Sequence, residues 1–233
     1  MAGLKKYHEN ERCHTNPDTD FTPSRDLACI PLTRSNADEA ARIYRDVFLA
    51  DEPTTHTRSP DPARFLHYGR LYTRFLSGKN LSFLVRDERT HDPAGFIFCV
   101  DMTETLEDVG EWATLIREDF REVMTMINEL EDRHINLAGT SPGSALHIFQ
   151  VGVERKYRGR GIAQFLIRQA LVNAREHGFR QAVADCTSRY SRRCFEQCGF
   201  HEVGFSSYEE FSMDGKRFFA GCEGGIYLMR RNI

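Results

Sequence analysis

Between Ala145 and Glu176 the chain holds one junction that restricts its fold more than any other stretch. An apolar run, Leu146-His147-Ile148-Phe149-Gln150-Val151-Gly152-Val153, empties into Glu154-Arg155-Lys156-Tyr157-Arg158-Gly159-Arg160-Gly161. Beyond it Ile162, Phe165, Leu166, Ile167, Ala170 and Leu171 recur at helical spacing. The run predicts a strand over 145–153, and the spacing predicts a helix from Gly161 to about Glu176, ended by Gly178. Alternate glycines let the backbone of the turn come close to a ligand. A turn of this kind at a helix start offers several N–H groups at the positive end of the helix dipole, which suits a pyrophosphate. A further strand at Gln181 to Asp185 implies parallel pairing across the helix, and with it a mixed α/β domain.

The rest of the chain is consistent with one sheet and its covering helices. Residues 1–27 are polar, carry Pro17 and Pro23, and read as a flexible N-terminal arm, leaving 28–233 as the domain. A strand is expected over Ala28 to Thr33, then a helix from a Ser35 or Asn36 cap to Phe48, ended by Asp51-Glu52-Pro53. A second helix spans Pro62 to Leu76, and two strands, Leu81 to Val85 and Ala94 to Met102, form a hairpin. An amphipathic helix covers Thr105 to Ile135 and is broken at Ala138 to Ser144. After the junction come a short helix, Ser188 to Gln197, and two final strands turned near Asp214-Gly215.

Composition narrows the function classes. With 31 Lys+Arg against 34 Asp+Glu the net charge is −3, which argues against broad binding to nucleic acid or an anionic membrane. No apolar run reaches the roughly 18 residues of a spanning helix, and the N-terminus has no apolar secretory region, so a cytoplasmic protein is expected. The 7 cysteines form no C-x-x-C, so neither a disulfide framework nor a metal site is expected. The glycine turn matches neither the Walker pattern nor G-x-G-x-x-G, because Gln164 stands where a third glycine would be. Arg155, Lys156, Arg158 and Arg160 crowd the turn in an otherwise acidic chain, which favours an anionic ligand over a bare turn.

The junction resembles the signature of the GNAT superfamily of acetyl-CoA-dependent N-acetyltransferases, Q/R-x-x-G-x-G/A between a strand and a helix. Lys156 to Gly161 matches it apart from the first lysine, and Arg158-Gly159-Arg160-Gly161-Ile162-Ala163 matches in full. Phe195-Glu196-Gln197-Cys198-Gly199-Phe200 is similar to the family's aromatic-x-x-x-G-F ending of the next helix. The resemblance implies a GNAT-like mixed sheet whose central strands, 145–153 and 181–187, splay apart to admit a pantetheine arm, with helices on its faces and a helical insertion (103–142) between the third and fourth strands. Gly152 would sit at a bulge, with the backbone of Val151 and Val153 pairing with the pantetheine. Arg158, Gly159, Arg160, Gly161, Ile162 and Ala163 would hold the diphosphate, and Ser188 and Phe195 would lie beside the coenzyme.

The resemblance also implies a reaction, transfer of an acetyl group from acetyl-CoA to a small primary amine of the arylalkylamine or polyamine class by direct attack in a ternary complex. Two residues are candidates for the base. His147 matches one of two strand histidines in vertebrate-type arylalkylamine N-acetyltransferases, where Ala145 replaces the other. Glu52 lies in a D-E-P triplet similar to that of insect-type enzymes, while Asp51 reads as a cap or a solvated acid. The family's acid tyrosine is replaced by Phe195, so a hydroxyl from Thr187-Ser188-Arg189-Tyr190-Ser191 is considered, Ser191 first and Tyr190 second. Glu104, Glu107, Asp108, Glu111, Glu118 and Asp119 of the insertion could attract a cation or simply be solvated, and Trp112 and Phe120 could line the amine pocket or the core. The competing readings are a non-catalytic acyl-CoA-binding sensor and a protein N-acetyltransferase. A monomer or homodimer is expected.

Overall fold

A computed structural model describes residues 26–104 and 110–233. The expected arm therefore lies almost wholly outside the described residues, as do Glu107 and Asp108, but Leu27 already belongs to the first strand. The elements are β1 (Leu27–Pro31), α1 (Ala37–Asp51), α2 (Pro53–Arg58), α3 (Pro62–Leu76), β2 (Phe83–Asp87), β3 (Pro93–Asp101), α4 (Glu111–His134), β4 (Ala145–Val153), α5 (Ile162–Glu176), β5 (Gln181–Cys186), α6 (Arg189–Gln197), β6 (His201–Ser207) and β7 (Gly225–Asn232). They build a seven-stranded sheet of order β1-β2-β3-β4-β5-β7-β6. Among the described strands only β4 and β5 pair in parallel, as expected of a strand joined to the next by a crossover helix.

Apolar spacing decides which face each helix covers. Ala37, Ala40, Ala41, Tyr44 and Val47 recur every three or four residues on α1 and bury its stripe beside α3 and α4 on one face of the sheet. Ile162, Leu166, Ile167, Ala170 and Leu171 do the same for α5, which covers the other face with α6. With both faces covered, β4 reads as a near-continuous apolar run instead of alternating. The turn at Asp51-Glu52-Pro53 does end α1, but α2 starts at once, because Pro53 suits a first helical position and the Glu52 carboxylate caps Thr54 N and Thr55 N. On the insertion, α4 bends at Phe120 (φ −130°), and Trp112 is fully buried against Tyr72, ring centroids 4.9 Å apart.

Two features differ from expectation, and a third was left open by the sequence. The bulge on β4 falls at Phe149, since Phe98 pairs with Gln150 and Cys99 with Ile148, while Gly152 stays in register with Phe96. Gly152 answers a close approach instead, because a Cβ there would lie 2.5 Å from the Phe96 ring and 3.0 Å from Val47. The last two strands are separated by residues 208–224, and Asp214-Gly215 turns only the tip of that loop, closed by a Met213–Lys216 bridge. Third, β7 inserts between β5 and β6, so the final hairpin is added to the sheet through its second strand.

Candidate active site

The splay sits where the family resemblance implies it, between β4 and β5. Pairing of β4 with β5 runs from Ala145↔Gln181 to Ile148↔Ala184 and stops, while β4 continues along β3 to Val153. Glu154 N donates to Ala94 O on β3, so by antiparallel alternation the N–H and C=O of Val151 and Val153 face the parted side. Arg158 Nε donates to the Val153 carbonyl at 2.9 Å, which agrees with that orientation. A cavity of about 970 Å³ fills the fork and runs from the glycine turn to the space under α1, α3 and α4.

At one end, Gly159 (φ 74°) and Gly161 (φ 71°) take left-handed angles that L side chains avoid. The first intrahelical bond of α5 is donated by Phe165 N to Gly161 O at 3.0 Å, so the N–H groups of Ile162, Ala163 and Gln164 have no partner within the helix. All three residues line the cavity. The cations of the turn, however, are not uncompensated. Arg155 and Arg158 share Asp51 at 2.5 and 2.6 Å, Lys156 holds Asp92 at 2.6 Å, and Arg160 lies over the Tyr157 ring, 5.4 Å from its centroid. Arg160 is not among the cavity-lining residues, whereas Val151, Gly152, Val153, Arg158, Gly159, Gly161, Ile162, Ala163, Ser188 and Phe195 all are. The capacity to take an anion thus rests chiefly on backbone donors and the helix dipole.

Asp51 is neither a cap nor merely solvated. Its hydrogen bond from Arg155, opposed by partial burial and reinforced by Arg158, holds its carboxyl at about 2, below the ordinary 3.8. A carboxyl depressed in the folded state stabilises the fold above its ordinary value and loses that contribution as the pH falls through the folded value. Urea unfolding of the protein should therefore show a loss of stability from about pH 4 to about pH 2 that Asp51→Asn partly abolishes. Equal slopes for the two proteins in that window would refute the pairing.

At the other end the cavity is aromatic. Tyr44, Phe48, Tyr68, Phe120 and Phe149 line it, and the Tyr44 and Tyr68 hydroxyls are hydrogen-bonded to one another. Glu52 reaches the same space. Its carboxylate accepts from Thr54 N at 3.2 Å, Thr54 Oγ1 at 2.8 Å and Thr55 N at 2.6 Å, so the α2 cap holds it in one orientation. Trp112 lies in the core, and Phe120 serves both core and cavity. Among the described residues, the acids of the insertion do not line the cavity: Glu118 and Asp119 bind Arg64, Glu104 binds Lys79, and Glu111 faces His67. Its acidic lining is Asp51, Glu52, Asp185 and Glu223.

On α6, Ser188 and Ser191 form a reciprocal capping box, with Ser188 Oγ accepting from Ser191 N at 3.1 Å and Ser191 Oγ accepting from Ser188 N at 3.3 Å. Both serines line the cavity, as does Tyr190, which is 74% exposed at its mouth. Phe195 is buried edge-on against Phe200, so no phenol occupies its position.

His147 does not line the cavity. It is buried, with Nε2 2.8 Å from Asp185 Oδ2 and 3.5 Å from Glu131 Oε1. Burial lowers its proton affinity, but the Asp185 bond and the Glu131 charge outweigh this and raise it overall. Asp185 is the member of this cluster that borders the cavity, with its side chain only 2% exposed, and neither it nor Glu131 was expected from sequence. A signal for Asp185 existed, an acid inside the otherwise small and apolar strand Gln181–Cys186. Glu131 carried none among the many acids of α4.

A sheet forked at its centre, beside a helix start with free N–H groups, is the architecture that the sequence resemblance implies for an acyltransferase. The model of the acetyltransferase (GNAT) family matches residues 41–200, and the chain belongs to that family. Arylalkylamine N-acetyltransferase 2 from Aedes aegypti superposes with a TM-score of 0.73 at 20% identity, covering 89% of this chain and 99% of that one. The polyamine N-acetyltransferase of Drosophila melanogaster, which forms N-acetylagmatine, gives 0.71 at 14% identity, covering 89% and 100%. The C-terminal condensation domain of Ebony, solved with beta-alanyl-dopamine, gives 0.70 at 19%, covering 89% and 99%. At these identities the likeness is one of fold. Among the described residues no helix is long and apolar enough to cross a membrane.

Proposed function

We propose that this acetyltransferase moves the acetyl group of acetyl-CoA to a small primary amine, with the arylalkylamine class favoured over polyamines, by direct attack in a ternary complex. The observation that carries this reading is the single cavity that joins three unpaired helix N–H groups at one end to an aromatic chamber with a fixed carboxylate, Glu52, at the other. The diphosphate would lie on Gly159, Gly161 and the α5 N–H groups, and the pantetheine along Val151 and Val153. Rings such as Tyr44, Phe48 and Phe120 offer an aryl group edge and face contacts. Of the four lining acids, Asp51 is held by two arginines and Asp185 by His147, which leaves a chain of several ammonium groups fewer carboxylates to meet.

An alkylammonium of pKa near 10 is only about 0.1% neutral at pH 7, a cost of roughly 4 kcal/mol, so a group that takes its proton matters. Glu52 meets the cavity directly, and His147 meets it only through Asp185. The leaving thiolate needs little help, since a thiol of pKa near 8.5 to 9.5 is a fair leaving group, and Ser191 and Tyr190 are the hydroxyls within the lining. Thiol release from acetyl-CoA, measured across arylalkylamines, polyamines and peptide N-termini, tests the reading. Arylalkylamines should be turned over best, and Glu52→Gln should lower kcat/KM by about 100-fold while leaving the Kd for acetyl-CoA unchanged. Tight acetyl-CoA binding with no thiol released against any amine would instead mark an acyl-CoA sensor.

A further inference from the structure

One polar side chain of the chamber has no task in the reading above. Gln150 lines the cavity, is only 8% exposed, and its Oε1 is buried without a hydrogen-bond partner among the described residues. Register fixes where this side chain points. Gln150 pairs with Phe98 and Gly152 with Phe96, so both positions face the side of the sheet on which those two rings pack. A Cβ on Gly152 would meet Phe96 and Val47 of α1 on that same side. The amide therefore stands on the aromatic chamber, whose wall includes Tyr44 and Val47.

A buried amide without partners costs a fold stability that an apolar side chain of similar size would not. The neighbouring polar groups of the chamber are committed elsewhere. The Tyr44 and Tyr68 hydroxyls bond to one another, and the Glu52 carboxylate accepts from Thr54 and Thr55. Only the edge of the amide that meets the chamber can be wetted, and an aryl amine filling the chamber displaces that water. A half-turn about the last side-chain bond exchanges the amide oxygen and nitrogen at constant shape, so either can face the chamber. The substrate must then supply the partner. The place of Gln150 on β4 selects which substrate group this is. A pantetheine arm paired with Val153 and then Val151 brings its thioester to the next residues, Gln150 and Phe149, before pairing of β4 with β5 begins at Ile148. The backbone there faces the fork and the coenzyme, whereas the Gln150 side chain rises from the sheet towards the acceptor.

We propose that the Gln150 carboxamide holds the attacking nitrogen of the acceptor amine beside the thioester, its oxygen accepting a hydrogen bond from one N–H of that nitrogen. The inference rests on the transferase reading. A carboxamide suits the task because it is neutral. A second carboxylate at this point would favour the ammonium over the free amine and oppose the loss of the proton. An amide oxygen takes an N–H from the free amine and leaves the nitrogen lone pair directed at the thioester carbon. Glu52 and Gln150 thus divide the work, the first taking the proton and the second orienting the nitrogen that has lost it. Holding the nitrogen in a near-attack position lowers the barrier by removing its orientational freedom.

Two measurements test this, both with 2-phenylethylamine, whose nitrogen is its only polar atom. In the first, Gln150→Met keeps the length of the side chain and removes the amide. It should lower kcat/KM by about 10-fold or more, with the acetyl-CoA Kd within about 2-fold and Tm no lower than the parent's. The Tm separates a substrate contact from a structural one, because a side chain that held the fold would lower Tm when replaced. The second follows the Gln150 side-chain amide resonance by NMR, identified by its absence from Gln150→Met, as the amine is added to the CoA-loaded protein. It should shift and saturate. Parental kcat/KM in Gln150→Met, a lowered Tm, or an amide resonance unmoved at saturating amine overturns the inference. So does a loss confined to ring-hydroxylated amines such as tyramine, or a parent that requires the hydroxyl, since either places the amide on the ring. A parent that acetylates no arylalkylamine is a different result, and it overturns the reading on which the inference rests. Should Gln150→Met not fold, Gln150→Leu carries both arms.

Discussion

Replacing Gly161 by valine is expected to raise the Kd for coenzyme A at least about 100-fold, read by isothermal titration. Gly161 caps α5 at φ 71°, a left-handed angle that is a genuine outlier for a β-branched residue. A valine would push the turn towards ordinary angles and swing the N–H groups of Ile162 and Ala163 away from a common point. Hydrogen bonds to a charged acceptor contribute about 1.5–3 kcal/mol each, so misdirecting two of them costs roughly 3 kcal/mol or more, which is the factor of 100 or above. Backbone strain alone is controlled for at the other end of the same helix. Gly178, at φ 88° with open space around its Cβ direction, lies just past the C-terminus of α5, and Gly178→Ala carries similar strain. Its coenzyme Kd should be unchanged although its melting temperature falls. A Gly161→Val protein that keeps its Kd within 5-fold would refute the backbone cradle.

The second large effect is on stability. Trp112→Ala should cost about 3–5 kcal/mol and lower Tm by roughly 10 °C, because the side chain is fully buried and its cavity cannot collapse easily against two rings. Tyr72 stacks on it at 4.9 Å and 18°, and Tyr68 tilts against it at 6.0 Å. Trp112 also carries a buried Nε1–H with no partner, and the Tyr72 hydroxyl beside it has none either. Trp112→Phe keeps an aromatic ring on Tyr72 while removing one unpaired donor, so its loss should stay below about 1.5 kcal/mol. Calorimetry of the two variants separates packing from polarity. An alanine variant within about 1 kcal/mol of the parent would show that α4 packs on the sheet without this anchor. Since α4 supplies Val123, Met124 and Ile127 to the cavity wall, the same variant should weaken amine binding more than coenzyme binding.

Where structure is local, the residues themselves announced it. The strand over 145–153, the glycine turn and the α5 start at Ile162 follow from apolar period and left-handed glycines within one short window. The Ser188 cap and the stop near Gly78 are similarly local. Elements whose geometry depends on remote partners were less legible. Nothing near Gly152 told whether it marked a bulge or a close approach, because the Phe96 ring it faces comes from another strand. The order β5-β7-β6 could not be read from the succession of two strands and a turn, since either strand of a hairpin can join a sheet.

The same division runs through the candidate site. Sequence alone determined the strand, the glycine turn and the helix start of the junction, since apolar spacing and left-handed glycines over some thirty residues suffice to form them, while the parting of the strands was implied only by the family resemblance. It also placed Glu52 on a proline-led turn whose capping chemistry is written in adjacent residues. Only the tertiary structure decided that Asp51 neutralises Arg155 and Arg158 from 104 and 107 positions away, and that His147 faces inward to Asp185 and Glu131. Charges and imidazoles carry long side chains with no directional preference of their own, so their partners are chosen by which helices and strands the closed core brings together.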